Sequence, residues 1–570
     1  MSLFRNLLIE KKRKPYYCEV EYLESTGTQW LDTEKTFNST SDEIELYFQL
    51  TETEKYKWVF GEHDTDARLG LGSGDGTNLR NVAYYNNTYK VNDTEMYNSQ
   101  HYYRVDSTGV YLNGTKIANY SNFSSTSTLY LFNLNLSSSN YMAKGKIWTF
   151  RQKRNGVLIR DLIPVLDWNY TPCMYDKVSR KLFYNRGTGT FSYGREIHYV
   201  DYLESTGTQY INTGIKSSYN LNVKIDFEVP AFSGEQRIFG QSDITYVYRF
   251  GYTASSIFVS NGSDYPYSTT VTMGDRYLLE LKGKDFYVNG ILARTMSNVS
   301  IGSADCYLFA WNRNPILTGS IKCFSCQIEE SDILVRDFLP AIDENGVGFM
   351  FDSITHTCFL NSGSGVFKYP ARQLEYIEST GTQYIDTEFK PNNNTTLDIV
   401  AKFNRPCTIA MARWSGSPNY DTYGFFVSNS VNENYAFVAY WGRYNTNQWT
   451  KFYGYVNETK VRITLSPTKV KTNYLDSDAF DNEADITQGT YQSTYNLYLF
   501  ASNNIGSLLA QGNCTIYSAK IYDNGVFIRD YIPAYKDGSA GMLDKANNVM
   551  YTNAGTGTFN VGKVKESRWF

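Results

Sequence analysis

One twelve-residue phrase, written three times, constrains this chain more than anything else in it. It reads Tyr22-Leu-Glu-Ser-Thr-Gly-Thr-Gln-Trp-Leu-Asp-Thr33, and returns as Tyr202–Thr213 and Tyr376–Thr387 with conservative changes. Its starts at positions 22, 202 and 376 are 180 and 174 residues apart. Solenoid and propeller repeats recur at tens of residues, so a period this long is a whole domain. The chain reads as three copies of one module: 18–194, 195–370 and 371–570, after a leader over 1–17. Modules of about 175 residues bury about 70% of their unfolded surface and need no disulfide or metal to hold a core.

Further phrases recur in the same order within the modules. An Asn-Gly hairpin turn appears at Asn113-Gly114 and Asn289-Gly290, and module three carries Lys469–Tyr474 with a longer acidic loop instead. Leu129-Tyr-Leu-Phe, Cys306-Tyr-Leu-Phe and Leu497-Tyr-Leu-Phe predict a central strand, with Tyr130 and Phe132 sharing one face. An Arg-Asp-x-x-Pro strand ends at Pro164, Pro340 and Pro533, where proline should stop the ladder. Met-x-Asp followed by Asn-x-Gly-x-Gly-x-Phe closes each module. Few residues separate one module's end from the next one's start, so the ends of a module must lie together. A two-sheet sandwich with neighbouring first and last strands achieves this, and short linkers predict a semi-rigid rod of three beads. Aromatics make up 16% of the chain, with 50 Tyr and 33 Phe, a composition suited to strands and turns.

Charge excludes some classes. A net charge of −4 gives no electrostatic reason to expect nucleic acid. No apolar run reaches the length of a membrane span. Cys18, Cys173, Cys306, Cys323, Cys326, Cys358, Cys407 and Cys514 do not recur between modules and read as free thiols of a reducing compartment. Cys323 and Cys326 lie three apart on a strand, where they should point to opposite faces. His63, His101, His198 and His356 do not recur either, so no module-wide metal or histidine chemistry is expected, and no motif calls for a cofactor or a structural calcium. The leader does not read as a secretory signal, which points to a cytoplasmic product. Its Phe4, Leu7 and Leu8 with Lys11 and Arg13 read either as a frayed terminus or as an anchor in a larger assembly.

Taken together, the phrases resemble the LamG-like modules of the concanavalin A-like lectin/glucanase superfamily. More narrowly, they are similar to versions found in head-fibre and tail proteins of phages infecting gut bacteria. The resemblance implies an all-β chain of three tandem antiparallel jelly-roll sandwiches. It further implies a virion structural or adhesion protein, anchored by its N-terminus to capsid or tail proteins and binding host-surface glycans or proteins. Such fibres are often homotrimers, though no heptad run here enforces one. A ligand-free virion spacer is the second reading.

The third reading, a glycan-degrading enzyme, needs two carboxylates in one cleft. The nearest pairs are Glu43 with Glu45 and Asp226 with Glu228, and module three offers no acid two residues after Asp398, so no catalysis is expected. Candidate ligand contacts are the loop aromatics Trp58, Tyr84, Tyr85, Tyr246, Tyr248, Trp414 and Trp441. The recurrent Arg160, Arg336 and Arg529 should form structural ion pairs, with Glu24, Glu204 and Glu378 or with the Asp of each Met-x-Asp.

Overall fold

The computed structural model describes residues 14–566 apart from 53, 65–67, 74–80, 86–87, 93–98, 120–121, 137–140, 231–233, 243–246, 262–263, 297–301, 404–406, 416–420, 429–435, 444–447, 454–457, 477–480 and 488. Phe4, Leu7, Leu8, Lys11, Arg13 and Tyr246 therefore lie outside the described residues. Among the described residues there is no α-helix, and each module is a sandwich of two antiparallel sheets.

Six front-sheet strands recur in the same order in each module, and module three adds Ser502–Asn504 and Ser507–Leu509 beside its third. In module one they are Leu31–Asn38, Ser124–Leu131, Trp58–His63, Arg68–Ser73, Asn81–Tyr85 and Thr88–Asn92. In module two they are Ile211–Lys216, Asp305–Leu308, Gln236–Ser242, Val247–Thr253, Ser256–Asn261 and Asp264–Ser268. In module three they are Ile385–Asp386, Tyr498–Leu499, Cys407–Arg413, Asp421–Ser428, Ala436–Arg443 and Trp449–Tyr453. Each back sheet is built around the Arg-Asp strand: Val157–Leu166, Ile333–Ile342 or Val526–Lys536. Alternating apolar residues from both sheets fill the space between, as in the Asp42–Leu50 strand, where Ile44, Leu46, Phe48 and Leu50 are fully buried.

The repeated phrase is the lock that closes each sandwich. Gln29 accepts from the Thr26 amide (2.8 Å) and donates to the Thr190 carbonyl (3.2 Å). Gln209 reaches the Val366 carbonyl and Gln383 the Thr558 carbonyl, each at 2.9 Å. Thr28, Thr208 and Thr382 donate to the carbonyls of Thr188, Ser364 and Thr556 at 3.0, 2.9 and 3.0 Å. The closing glycines let the two segments touch: a Cβ on Gly187, Gly363 or Gly555 would stand 2.0, 2.1 or 2.1 Å from a threonine carbonyl oxygen of the opening phrase. Gly187→Ala must therefore prise this lock apart. A loss of about 1–3 kcal/mol is expected in urea unfolding followed through module one.

Four sequence expectations are corrected. The Arg-Asp strands do not stop at proline: Pro164 sits opposite Met174, Pro340 opposite Met350 and Pro533 opposite Met542. Proline is tolerated because on its other edge the neighbouring strand changes there, from Lys144–Arg154 to Cys18–Val20 in module one. Tyr130 and Phe132 do not share a face. Phe132, Phe309 and Phe500 adopt left-handed φ of 60°, 68° and 64°, which turns each ring into the core against Phe191, Phe367 or Phe559. Cys323 and Cys326 both face the core, because a bulge opposite Asp226–Phe227 adds a residue between them. Modules one and two, finally, are not separate beads. The Cys18–Val20 strand pairs with both Val157–Leu166 and Glu196–Tyr199, and the latter pairs with Ile333–Ile342, so the two back sheets run together. One compact unit extends to Phe367 and takes in Glu566, and the other is Lys368–Lys565.

Candidate functional site

Register decides which residues lie on the outer faces of the front sheets. Phe60 packs on Tyr103 of the back sheet, Phe250 on Phe286, and the Tyr423 hydroxyl donates to the Thr395 carbonyl, so these positions face inward. Their strand neighbours face out. Equivalent outward positions hold Trp58, Gly61, Gly70 and Gly72 in module one. They hold Arg237, Gly240, Arg249 and Gly251 in module two, and Thr408, Met411, Gly424 and Phe426 in module three. One backbone frame thus carries three chemistries.

All three outer faces keep one feature, a half-buried aromatic pair at one edge. Trp30 packs on Tyr130 with centroids 4.4 Å apart, Tyr210 on Tyr307 at 4.9 Å and Tyr384 on Tyr498 at 4.8 Å. The middle of the face then differs. In module one Trp58 lies over Gly70, where a Cβ would meet its ring at 2.9 Å, and an apolar cleft of about 240 Å³ opens beside Tyr56, Leu134, Leu136 and Tyr141. In module two the space is filled from within. Trp311 donates from Nε1 to the Phe250 carbonyl (2.8 Å), with Phe258 at its edge and the Arg249 guanidinium 4.3 Å from its ring centre.

Module three offers the widest aromatic surface. Phe426, Tyr440 and Trp449 come from three adjacent strands and form a ladder of rings. Phe426 and Tyr440 are stacked at 5.7 Å and 9°, and Tyr440 and Trp449 lie 6.5 Å apart at 34°. All three are half-buried, and Gly424 opposite Tyr440 leaves the ladder uncrowded. Two residues along the same strand face, Gly442 floors a cleft of about 270 Å³. Trp414 and Tyr491, stacked at 5.1 Å and 21°, line it with Asp421, Gln448 and Thr490. Burial pushes the Tyr491 hydroxyl far above its ordinary range, so it stays a neutral donor.

The sequence candidates divide accordingly. Trp58 and Trp414 line outer-face clefts. Tyr248 is fully buried, with its hydroxyl donating to the Leu221 carbonyl (3.4 Å), and Trp441 pairs in register with the inward-facing Tyr423; neither lies on the outer face. Tyr84 and Tyr85 pair in register with Gly70 and Leu69. Phe426, Tyr440 and Trp449 escaped the sequence reading because Tyr440-Trp441 puts two aromatics side by side, and only strand parity separates the outward from the inward one.

Arg160 Nη1 lies 2.9 Å from Asp176, while Arg336 and Arg529 stand 3.5 Å from Asp352 and Asp544. Glu24, Glu204 and Glu378 lie instead on a different strand of the back sheet. They sit opposite Lys146, Lys322 and Thr515 on the neighbouring back-sheet strand, and Glu24 accepts from Ser192 (3.4 Å) while Glu378 accepts from Asn560 (3.3 Å). The acid pairs lie on back-sheet strands beside cations. Glu43 is 2.7 Å and Glu45 3.7 Å from Lys153, Asp226 is 2.7 Å from Arg276 and Glu228 2.6 Å from Lys322. Neither pair lines the Trp58 cleft or the Trp414 cleft.

No protein-family model matches the chain, and no curated protein matches it. Among solved structures it is similar to the LG1-3 region of the laminin alpha2 chain, at 8% identity and a TM-score of 0.28, over 96% of this chain and 100% of that one. A putative carbohydrate binding protein from Bacteroides ovatus matches at 10% identity and a TM-score of 0.24, over 58% of this chain and 90% of that one. Domains LG4-5 of the mouse laminin alpha1 chain match at 8% identity and a TM-score of 0.23, over 65% of this chain and 96% of that one.

Proposed function

We propose that this chain is a non-catalytic saccharide-binding protein of a phage virion surface, made in the host cytoplasm and displayed on the particle to engage host glycans. The virion setting rests on the recurrent phrases. The binding role rests on one observation, the Phe426–Tyr440–Trp449 ladder running into the Trp414–Tyr491 cleft. Flat aromatic faces take up the apolar C–H faces of sugar rings, and the polar groups of Asp421, Gln448 and Thr490 suit their hydroxyls. The aromatic pair common to all modules supplies a weaker shared contact, and linked copies gain avidity through effective concentration. Virion partners would be held through the leader over residues 1–17.

The test is a glycan array followed by calorimetry on the full chain. A polysaccharide ligand is expected, and Tyr440→Ala with Trp449→Ala should weaken it about tenfold or more, through loss of apolar contact area at roughly 25 cal/mol per Å². The melting temperature should stay within a few degrees. Silence across host polysaccharides would favour the ligand-free spacer instead, and release of reducing ends would favour an enzyme.

A further inference from the structure

The geometry points to a transition-metal site, of the kind zinc(II) occupies, formed by Cys18, Glu196 and His198 where modules one and two join. Cys18 is far from the other two in the chain and meets them through strand pairing. Glu19 pairs with Ile197 and Val20 with Glu196, and the next step of that register sets Cys18 opposite His198. Glu196 and His198, two apart on one strand, share a face, so three side chains converge. One ligand atom from each lies within 4.8 Å of the others. Exposure is 0% for Cys18, 1% for Glu196 and 0% for His198, so the cluster is a built interior feature.

The donor set has the chemistry of a metal site. His198 Nε2 stands 3.0 Å from the Glu196 carboxylate, and its Nδ1 stands 2.8 Å from Glu566. A metal-bound histidine characteristically gives its second nitrogen to a carboxylate, which sets the ring's orientation and tautomer. Glu566 is placed for that positioning role and is itself 3.6 Å from Lys14. Nε2, the Glu196 carboxylate and the Cys18 sulfur then make a nitrogen, oxygen and sulfur set, a mixture that zinc accepts. Binding forms one bond to each of these atoms. The proton on Nε2 and the thiol proton leave to solvent, and the two positive charges of the ion offset the thiolate and the Glu196 carboxylate. A fourth position is left for water or the second Glu196 oxygen. Full burial leaves no route for a substrate, so the ion is structural. It ties the Cys18–Val20 strand to Glu196–Tyr199 and thereby joins the two sandwiches.

The test is titration of cobalt(II), as a spectroscopic stand-in for zinc, into the metal-free full-length chain. One equivalent should bind, with a near-ultraviolet thiolate-to-cobalt band and the visible bands of a four-coordinate ion, and zinc should displace it. Cys18→Ser should abolish the thiolate band. Glu566→Gln should retain the band with affinity lowered about 10–100-fold. The metal-free melting curve of Cys18→Ser shows whether the fold survives, and loss of the band in a folded Cys18→Ser chain supports the site. Absence of stoichiometric cobalt binding overturns it, as does a thiolate band unchanged in Cys18→Ser, which would place the ion at another cysteine.

Discussion

Replacing Asp176 with alanine is expected to destabilise module one by about 3–5 kcal/mol, the cost of removing one partner from a buried ion pair. Asp176 is fully buried. It accepts from Arg160 Nη1 (2.9 Å), from the Asp161 amide (2.9 Å), from the Val178 and Ser179 amides (3.2 and 3.1 Å) and from the Ser179 hydroxyl (2.6 Å). Alanine strands all of these donors. Asp176→Asn keeps an acceptor and loses the charge, so about 1.5–3 kcal/mol is expected. The equivalent Asp544→Ala should cost less, because Arg529 stands 3.5 Å away. Burial alone would raise the Asp176 pKa, but the hydrogen bonds from Ser179 and from the Asp161 and Val178 amides outweigh it and hold the carboxyl below its usual value. A depressed folded pKa contributes stability above the unfolded value of about 3.9 and loses it as pH falls through the folded value. Acid unfolding of module one should therefore shift less with pH in Asp176→Asn than in the parent. Urea melts from pH 3 to pH 7, followed by hydrogen exchange in Val157–Leu166, check both points.

Glu62→Gln is expected to do the reverse and stabilise module one at neutral pH. Glu62 is fully buried in the front sheet, opposite Leu69, with the Ser125 hydroxyl on one carboxylate oxygen and no partner for the other. Burial pushes its pKa up to about 7 from 4.5. A raised carboxylate pKa means that the folded state holds a proton the unfolded state has released. The associated stability is full below about pH 4.5 and is lost as pH rises through about 7. That difference corresponds to about 3 kcal/mol. Glutamine keeps the Ser125 contact without a charge to bury. Between pH 5 and pH 8 the parent should lose protection in the Trp58–His63 strand while Glu62→Gln holds it nearly constant. Equal pH profiles would mean that Glu62 is solvated.

These two residues also mark how far the sequence could be read. The ion pair was within reach because Arg160 and Asp176 each belong to a phrase that recurs three times, although the rival Glu24 recurs equally well. Only the pairing of the Leu23–Thr26 strand with Lys144–Arg154 sets them apart. The sandwich followed from alternation and from the need to bring module ends together. Facing within strands did not. Bulges, the left-handed Phe132 and neighbouring aromatics such as Tyr440 and Trp441 each shift the parity that a period-two reading depends on. The joining of modules one and two, and with it the approach of Cys18 to His198, depends on strand pairing across a module boundary, which no local pattern encodes.

The most direct test of saccharide binding is hydrogen–deuterium exchange of the full chain with and without its polysaccharide ligand. The account predicts new protection on Asp421–Ser428, Ala436–Arg443 and Trp449–Tyr453, with weaker protection beside the Tyr384–Tyr498 pair. Protection confined to the back-sheet strands, with the module-three front sheet unchanged, would contradict it.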